Sequence, residues 1–431
     1  MHPALKLENL SRPPTYVRGF AIAAAKGSLE DLMQLFNLMA RERNLREQYM
    51  LCLPVFYMNL DLAPIPGDGP SCSTRARVII TLKVLRVLEN SPPDAGVDLW
   101  PRIWGWLSHL HRSHASFPRS PTEMDICSDL LAFVRHLGSD TPSLKLMGNT
   151  AGVRVLITRT WKLMFQIQGK ETNPTALGAL FWVFHFFLKI DVFVNWEEAV
   201  AGAGGTETDL ARLIAQFIDF FIPTSRTVLV PNTLQYMDAV FCPLMVLYKE
   251  SSLPALVAGG LVKSLTHVMC SFSASNFRQT EDIMGAALPL LLKIFVQAQQ
   301  HLVIRDALAA GFLCAIVSYD IRGLDDEWMT DALKRISILT MFYTVVCQLE
   351  TALRDVDDLV VQPVFEKSAI FEAWMSFRDL AEERIATAKI WNSEQGAPTK
   401  ACDNMDCGEI RPKTDFKCCG NCHQVYYCSR K

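Results

Sequence analysis

Apolar residues along most of the chain recur at steps of three and four, the spacing that lines one face of an α-helix, and strand-like alternation is rare. Trp100, Trp104, Leu107 and His111 make one such stripe. Ile370, Trp374, Phe377, Ala381, Ile385 and Ala388 make a longer one, and the pattern predicts an amphipathic helix from Pro363 to Trp391. Helix starts are marked locally. Ser120-Pro121-Thr122-Glu123 supplies a capping serine, a proline at the first helical position and a glutamate three residues past the cap. Ser28 with Asp31 is a weaker version of the same box. Proline and glycine clusters interrupt the pattern at 64–70, 91–94 and 118–121. Residues 1–391 are therefore expected to be all-α.

A longer period overlies the helical one. A glycine, usually after alanine or glycine, precedes an apolar helical stretch at Gly96, Gly152, Gly205, Gly260 and Gly311, at intervals of 56, 53, 55 and 51 residues. Gly260-Leu261-Val262-Lys263-Ser264-Leu265 and Gly311-Phe312-Leu313-Cys314-Ala315-Ile316 resemble the glycine-opened last helix of an armadillo repeat. The interval exceeds the roughly 40–47 residues usual for armadillo and HEAT repeats. The expectation is an irregular armadillo/HEAT-like solenoid with long loops; an irregular helical bundle is the alternative.

Composition narrows the class. The 431 residues are half hydrophobic and one-fifth charged, a globular balance too long for one core. A net charge of −3 leaves no electrostatic footprint for nucleic acid or an anionic membrane. The start, Met1-His2-Pro3-Ala4-Leu5-Lys6, lacks a signal-peptide pattern. The longest apolar run, Ala176 to Leu188, contains His185 and stops at Lys189, short of the roughly 18 residues a spanning helix needs. It reads as a buried core helix, and the protein is expected in the cytoplasm, the nucleus or both, with no membrane partner.

Cysteine usage divides the chain. Cys52, Cys72, Cys127, Cys242, Cys270, Cys314 and Cys347 are scattered without regular spacing and read as buried thiols of a reducing compartment. Cys402, Cys407, Cys418, Cys419, Cys422 and Cys428 crowd the last 30 residues. Close cysteine pairs separated by a turn-rich stretch let each turn present two thiolates to one tetrahedral Zn2+. So short a segment cannot fold on apolar burial, and a complete structural site supplies on the order of 10–16 kcal/mol through the metal. A disulfide framework does not suit the reducing context, and a redox Cys-x-x-Cys lacks its strand–helix setting. Asn392 to Lys400, with Gly396 and Pro398, is the expected linker, and 401–431 the second unit.

The tail resembles a MYND zinc finger: Cys419-x-x-Cys422, five residues, then Cys428 within Tyr426-Tyr427-Cys428-Ser429, with Phe416 and Lys417 upstream. In that family two zinc ions are held by interleaved ligand pairs. The resemblance implies Cys402, Cys407 and Cys428 on the first ion and Cys419 and Cys422 on the second. It also implies recruitment of protein partners through short proline-rich peptides. The first pair is spaced by four residues, a form similar to MYND proteins of mushroom-forming fungi. The family continues with a cysteine, a glutamine, usually a tryptophan, then a histidine and a last cysteine. The chain as given stops at Lys431, so the first site is expected to lack one ligand and the second two. Peptide binding is expected of a version extended through those ligands, and poor binding or none of the chain ending at Lys431. Cys418, at a position usually basic or polar in the family, stays outside the ligand set, as does His423.

Other signals are weaker. His109, His111 and His114 close the tryptophan-striped helix, where a cationic imidazole suits the dipole; they read as a solvated helix end rather than a metal cluster. Asp325-Asp326-Glu327, Asp355/Asp357/Asp358 and Glu382-Glu383 read as helix starts and wet faces. Gly148 to Gly152 lacks the lysine and serine of a phosphate loop, and the Asn-His-x-Cys core of the SET methyltransferases in some MYND proteins is missing. A zinc-binding interaction protein without catalytic residues or small-molecule substrate is the expectation; an enzyme with a pocket in the helical region, using the finger for targeting, is the alternative.

Overall fold

The computed structural model describes residues 1–41, 50–61, 72–87, 94–113, 123–137, 141–168, 196–222, 250–273, 280–296, 300–320, 326–360, 365–393, 399–401, 410–418 and 425–428, with Pro92 and scattered positions between 233 and 244. Among them the fold is all-α, and strands occur only after residue 398. In chain order the helices are α1 (Thr15–Ala25), α2 (Leu29–Arg41), α3 (Leu53–Leu60), α4 (Cys72–Val87), α5 (Ala95–Ser113) and α6 (Glu123–Leu137). They continue with α7 (Thr141–Asn149), α8 (Val153–Gln168), α9 (Trp196–Ala203), α10 (Glu207–Phe221), α11 (Leu253–Ala258) and α12 (Leu261–Ser273). The last six are α13 (Thr280–Ile294), α14 (Gln300–Ala309), α15 (Phe312–Asp320), α16 (Asp326–Leu339), α17 (Tyr343–Val360) and α18 (Phe371–Ser393).

The chain divides into two compact units: Met1–Pro223 with Val230–Leu261, and Thr224–Leu229 with Val262–Lys431. Within each, a helix packs on those one to three places along the chain. In the first unit α5 meets α6 and α7, α8 meets α9 and α10, and α10 meets α11. In the second, α14 meets α15, α16 and α17, and α17 meets α18. Side-chain hydrogen bonds follow the same short reach. The Trp100 indole donates to Thr150 Oγ1 at 2.9 Å, the Trp106 indole to the Leu60 carbonyl at 3.2 Å, and the Lys162 ammonium to the Ala203 carbonyl at 2.9 Å. Trp100 and Trp106 are fully buried, so the first two bonds satisfy indole N–H groups that the core would otherwise strand.

The periodic glycines mark helix junctions. Gly152, Gly205, Gly260 and Gly311 each have positive φ and stand between two consecutive helices, the first of six to ten residues. Such a backbone is open to glycine at no steric cost. Gly27 does the same between α1 and α2, a member of the series that the sequence pattern did not single out. Gly96 departs from it: it lies in the first turn of α5, and the left-handed residue there is Asp94, with φ 64°. What requires glycine at 96 is proximity, since a Cβ would lie 2.3 Å from Ser143 Oγ.

Other local expectations hold with adjustments. The Ser28 hydroxyl bonds the Asp31 carboxylate and accepts the Asp31 amide at 3.3 Å, one half of a capping box; the Ser28 amide donates to the Ala23 carbonyl at 3.1 Å rather than to Asp31. The serine–proline cap at 120–121 lies outside the described residues, and α6 begins at Glu123. The Ile370 stripe is buried through Trp374, Phe377 and Ala381 and half-buried at Ile385 and Ala388. Its helix begins at Phe371, not Pro363. Buried Phe365 sits in a 3-10 turn, Phe365–Lys367, with its ring edge-on to Phe371 and Trp374 at 5.8 and 5.9 Å. That packing turns the chain across the helix start instead of extending it. The apolar run 176–188 lies outside the described residues. Among those described, no single helix is long and apolar enough to cross a membrane.

Candidate metal centre

After α18 the secondary structure changes kind. Strand β1 (Thr399–Ala401) pairs antiparallel with β2 (Ile410–Pro412), with Ala401 opposite Ile410. Strand β3 (Lys417–Cys418) pairs with β4 (Tyr426–Tyr427), with Cys418 opposite Tyr426. The sequence places Cys402 and Cys407 inside the connection of the first hairpin and Cys419 and Cys422 inside that of the second. Cys428 directly follows β4.

Of the five expected ligands, Cys428 alone is among the described residues, where it is half-buried; Cys402, Cys407, Cys419 and Cys422 lie outside them, as does His423. No group of three or more His, Cys, Asp or Glu able to hold a metal occurs among the described residues. The donor chemistry suits zinc all the same: five thiols, four of them in the two hairpin connections and one at a strand end. Cys418 is exposed and engaged in the β3–β4 ladder.

Little apolar burial supports this segment. Phe416 is its one buried side chain among the described residues, and its amide bonds the Lys413 carbonyl at 3.3 Å. The Lys413 ammonium stands 5.6 Å from the Tyr426 ring, a cation–π contact at the margin of effective range. These two contacts tie the 3-10 turn Lys413–Asp415, between the hairpins, to its following residue and to β4.

The histidines of α5 behave differently from expectation. His109 is half-buried, its ring edge-on to Trp106 at 5.8 Å. Burial, then the Arg112 and Arg75 guanidiniums, hold its pKa below the ordinary imidazole value. A cationic helix end is thus disfavoured at this residue, because desolvation and like charge outweigh the helix dipole. His114 lies outside the described residues. Of the scattered cysteines, Cys52 is buried and its thiol is pushed up to about 12 by desolvation, which makes it inert as a nucleophile. Cys270 and Cys314 are half-buried and Cys347 is exposed, against the expectation of burial. Glu382 and Glu383 face solvent on α18, with Glu382 held by Arg378 at 2.8 Å, as a wet face predicts.

No family model matches the chain, no curated protein matches it, and no solved structure matches it.

Proposed function

We propose that the chain is a zinc-binding protein-interaction protein, a helical body carrying a MYND-like finger that recruits partners through proline-rich peptides in the cytoplasm or nucleus. One observation carries the reading: both cysteine pairs fall in the connections of two successive hairpins, the only strands among the described residues. Cysteines spaced this closely along the chain can present two thiolates to one ion, and the surrounding segment has too small a core to order itself. Cys402, Cys407 and Cys428 would serve one ion and Cys419 and Cys422 another. Zinc would supply a fixed charge and a tetrahedral anchor, and the protein's own part is to present thiolates and shield them from water. We read the body as solenoid-like within each unit, because its helices pack on near neighbours and turn at recurrent left-handed glycines.

Elemental analysis of the purified, reduced chain tests the zinc assignment. About one zinc per chain is expected, since three thiolates with water make a sufficient site. Cys428→Ser should lower that content. Zinc that persists unchanged after all five cysteines are replaced by serine would remove the assignment.

A further inference from the structure

The outward face of α16 carries an unusual pattern. Met329, Ala332, Leu333 and Ile336 point into the core, as the periodicity demands. Outside, Trp328 is 43% exposed, Ile338 is 67% exposed, and Met341, just past the helix end, is 71% exposed. The charges on the open side of the helix are sorted by sign. Glu327 and Asp331 occupy the N-terminal part, and Lys334 and Arg335 the C-terminal part. Glu327, Thr330, Asp331 and Lys334 line a shallow depression on this face. Asp331 and Arg335 are joined by an ion pair of 2.7 Å with both side chains partly open to solvent.

This face is complementary to itself. Trp328 and Ile338 stand five residues either side of Leu333, and Asp331 and Arg335 two residues either side. Turning a second α16 end for end about Leu333 sets Trp328 against Ile338 and Asp331 against Arg335, each twice. A two-fold contact between identical chains demands this symmetry, whereas an unrelated partner does not. We propose that the partner of this face is a second copy of the chain, docked with the two α16 helices antiparallel. Burial of Trp328, Ile338 and Met341 drives the association, and the sorted charges fix direction and register. Antiparallel docking also brings each acidic helix start beside the other copy's basic half, which the helix dipoles favour.

One helix pair buries less than the roughly 1,200–2,000 Å² of a standard stable interface, so the dimer is weak and dependent on concentration. Sedimentation of the full chain under reducing conditions, over ~1 to ~200 µM, reads it directly. The mass should rise from 48.4 kDa towards twice that value. Asp331→Arg places like charges opposite one another twice and should weaken association at least about tenfold. The double exchange Asp331→Arg with Arg335→Asp rebuilds both the intrahelical and the intermolecular pairs and should recover most of it. Ile338→Asp should abolish it. Circular dichroism of each variant confirms that α16 still folds. A chain that stays at monomer mass throughout overturns the proposal. So does a single charge reversal that associates like the parent, or a folded double exchange that stays as weak as the single.

Discussion

At the scale of single residues, glycines divide into two physical kinds that sequence cannot tell apart. Gly259 has ordinary helical φ, yet a Cβ there would meet Ala211 Cβ at 2.5 Å and the α10 backbone at 2.9 Å. Gly285, inside α13, has nothing within 4 Å of the same virtual atom. Opposite signs follow for one substitution. Gly259→Ala should destabilise by about 1–3 kcal/mol through overpacking, whereas Gly285→Ala should stabilise by about 0.4–1 kcal/mol by restricting the unfolded chain. Urea unfolding of the two variants checks both, and a stabilised Gly259→Ala would refute the close approach. The same distinction explains why Gly96 looked like a junction: the Ala-Gly-apolar pattern is shared, but only the fold reveals the Ser143 hydroxyl beside it. Cysteine spacing was more informative. It points to a metal-binding tail and, with the MYND resemblance, to five candidate ligands, because chelation is a local matter of loop length, whereas the lowered pKa of His109 depends on burial and on Arg75 in another helix.

Whole elements were legible where a stripe and a cap agreed. The α18 stripe and the serine cap at Ser28 both appear, since each depends on neighbours within one or two turns, although the helix starts later than expected and the cap makes only half of its box. The threonine cap at α10 went unread. Thr206 Oγ1 accepts the Asp209 amide at 3.1 Å and donates to Asp209 Oδ2 at 2.7 Å, with aspartate where glutamate is the commoner partner. Thr206→Ala should therefore cost about 1 kcal/mol. The Thr206 hydroxyl, and after it Arg212, hold the Asp209 carboxyl below the ordinary carboxylate range. A depressed pKa lends stability that is present at neutral pH and disappears as acid protonates the group. The Thr206→Ala deficit should accordingly shrink below pH 4 and be smaller in high salt. A deficit constant from pH 7 to pH 3, followed by thermal melting, would show that the carboxylate is not part of the cap. The outward face of α16 escaped sequence reading for a related reason: Trp328 and Ile338 count as helix-spaced apolar positions, and only tertiary packing shows that they miss the core.

For the molecule as a whole, the helical part and the cysteine-rich tail rest on different sources of order. Every large helix described buries aliphatic or aromatic side chains, while the tail buries Phe416 alone among its described residues, and the proposed zinc would have to supply the rest of its order. Chelation should then leave the far-ultraviolet helical signal essentially intact and change only the near-ultraviolet region around Tyr426 and Tyr427. A collapse of the helical spectrum on adding chelator would mean that the metal organises the body too.

The backbone contacts beneath Gly202 and Gly259 reach beyond stability. A Cβ on Gly202 would lie 2.4 Å from the Val155 carbonyl oxygen, so α9 rests on the main chain of α8, much as α11 rests on α10. Main-chain atoms are common to every amino acid. At such a seat, replacing the flanking side chains leaves the distance between the two helices as it was, provided the glycine itself persists. Two descendants of one ancestor can therefore diverge in most of their letters while inheriting the same separation between helices.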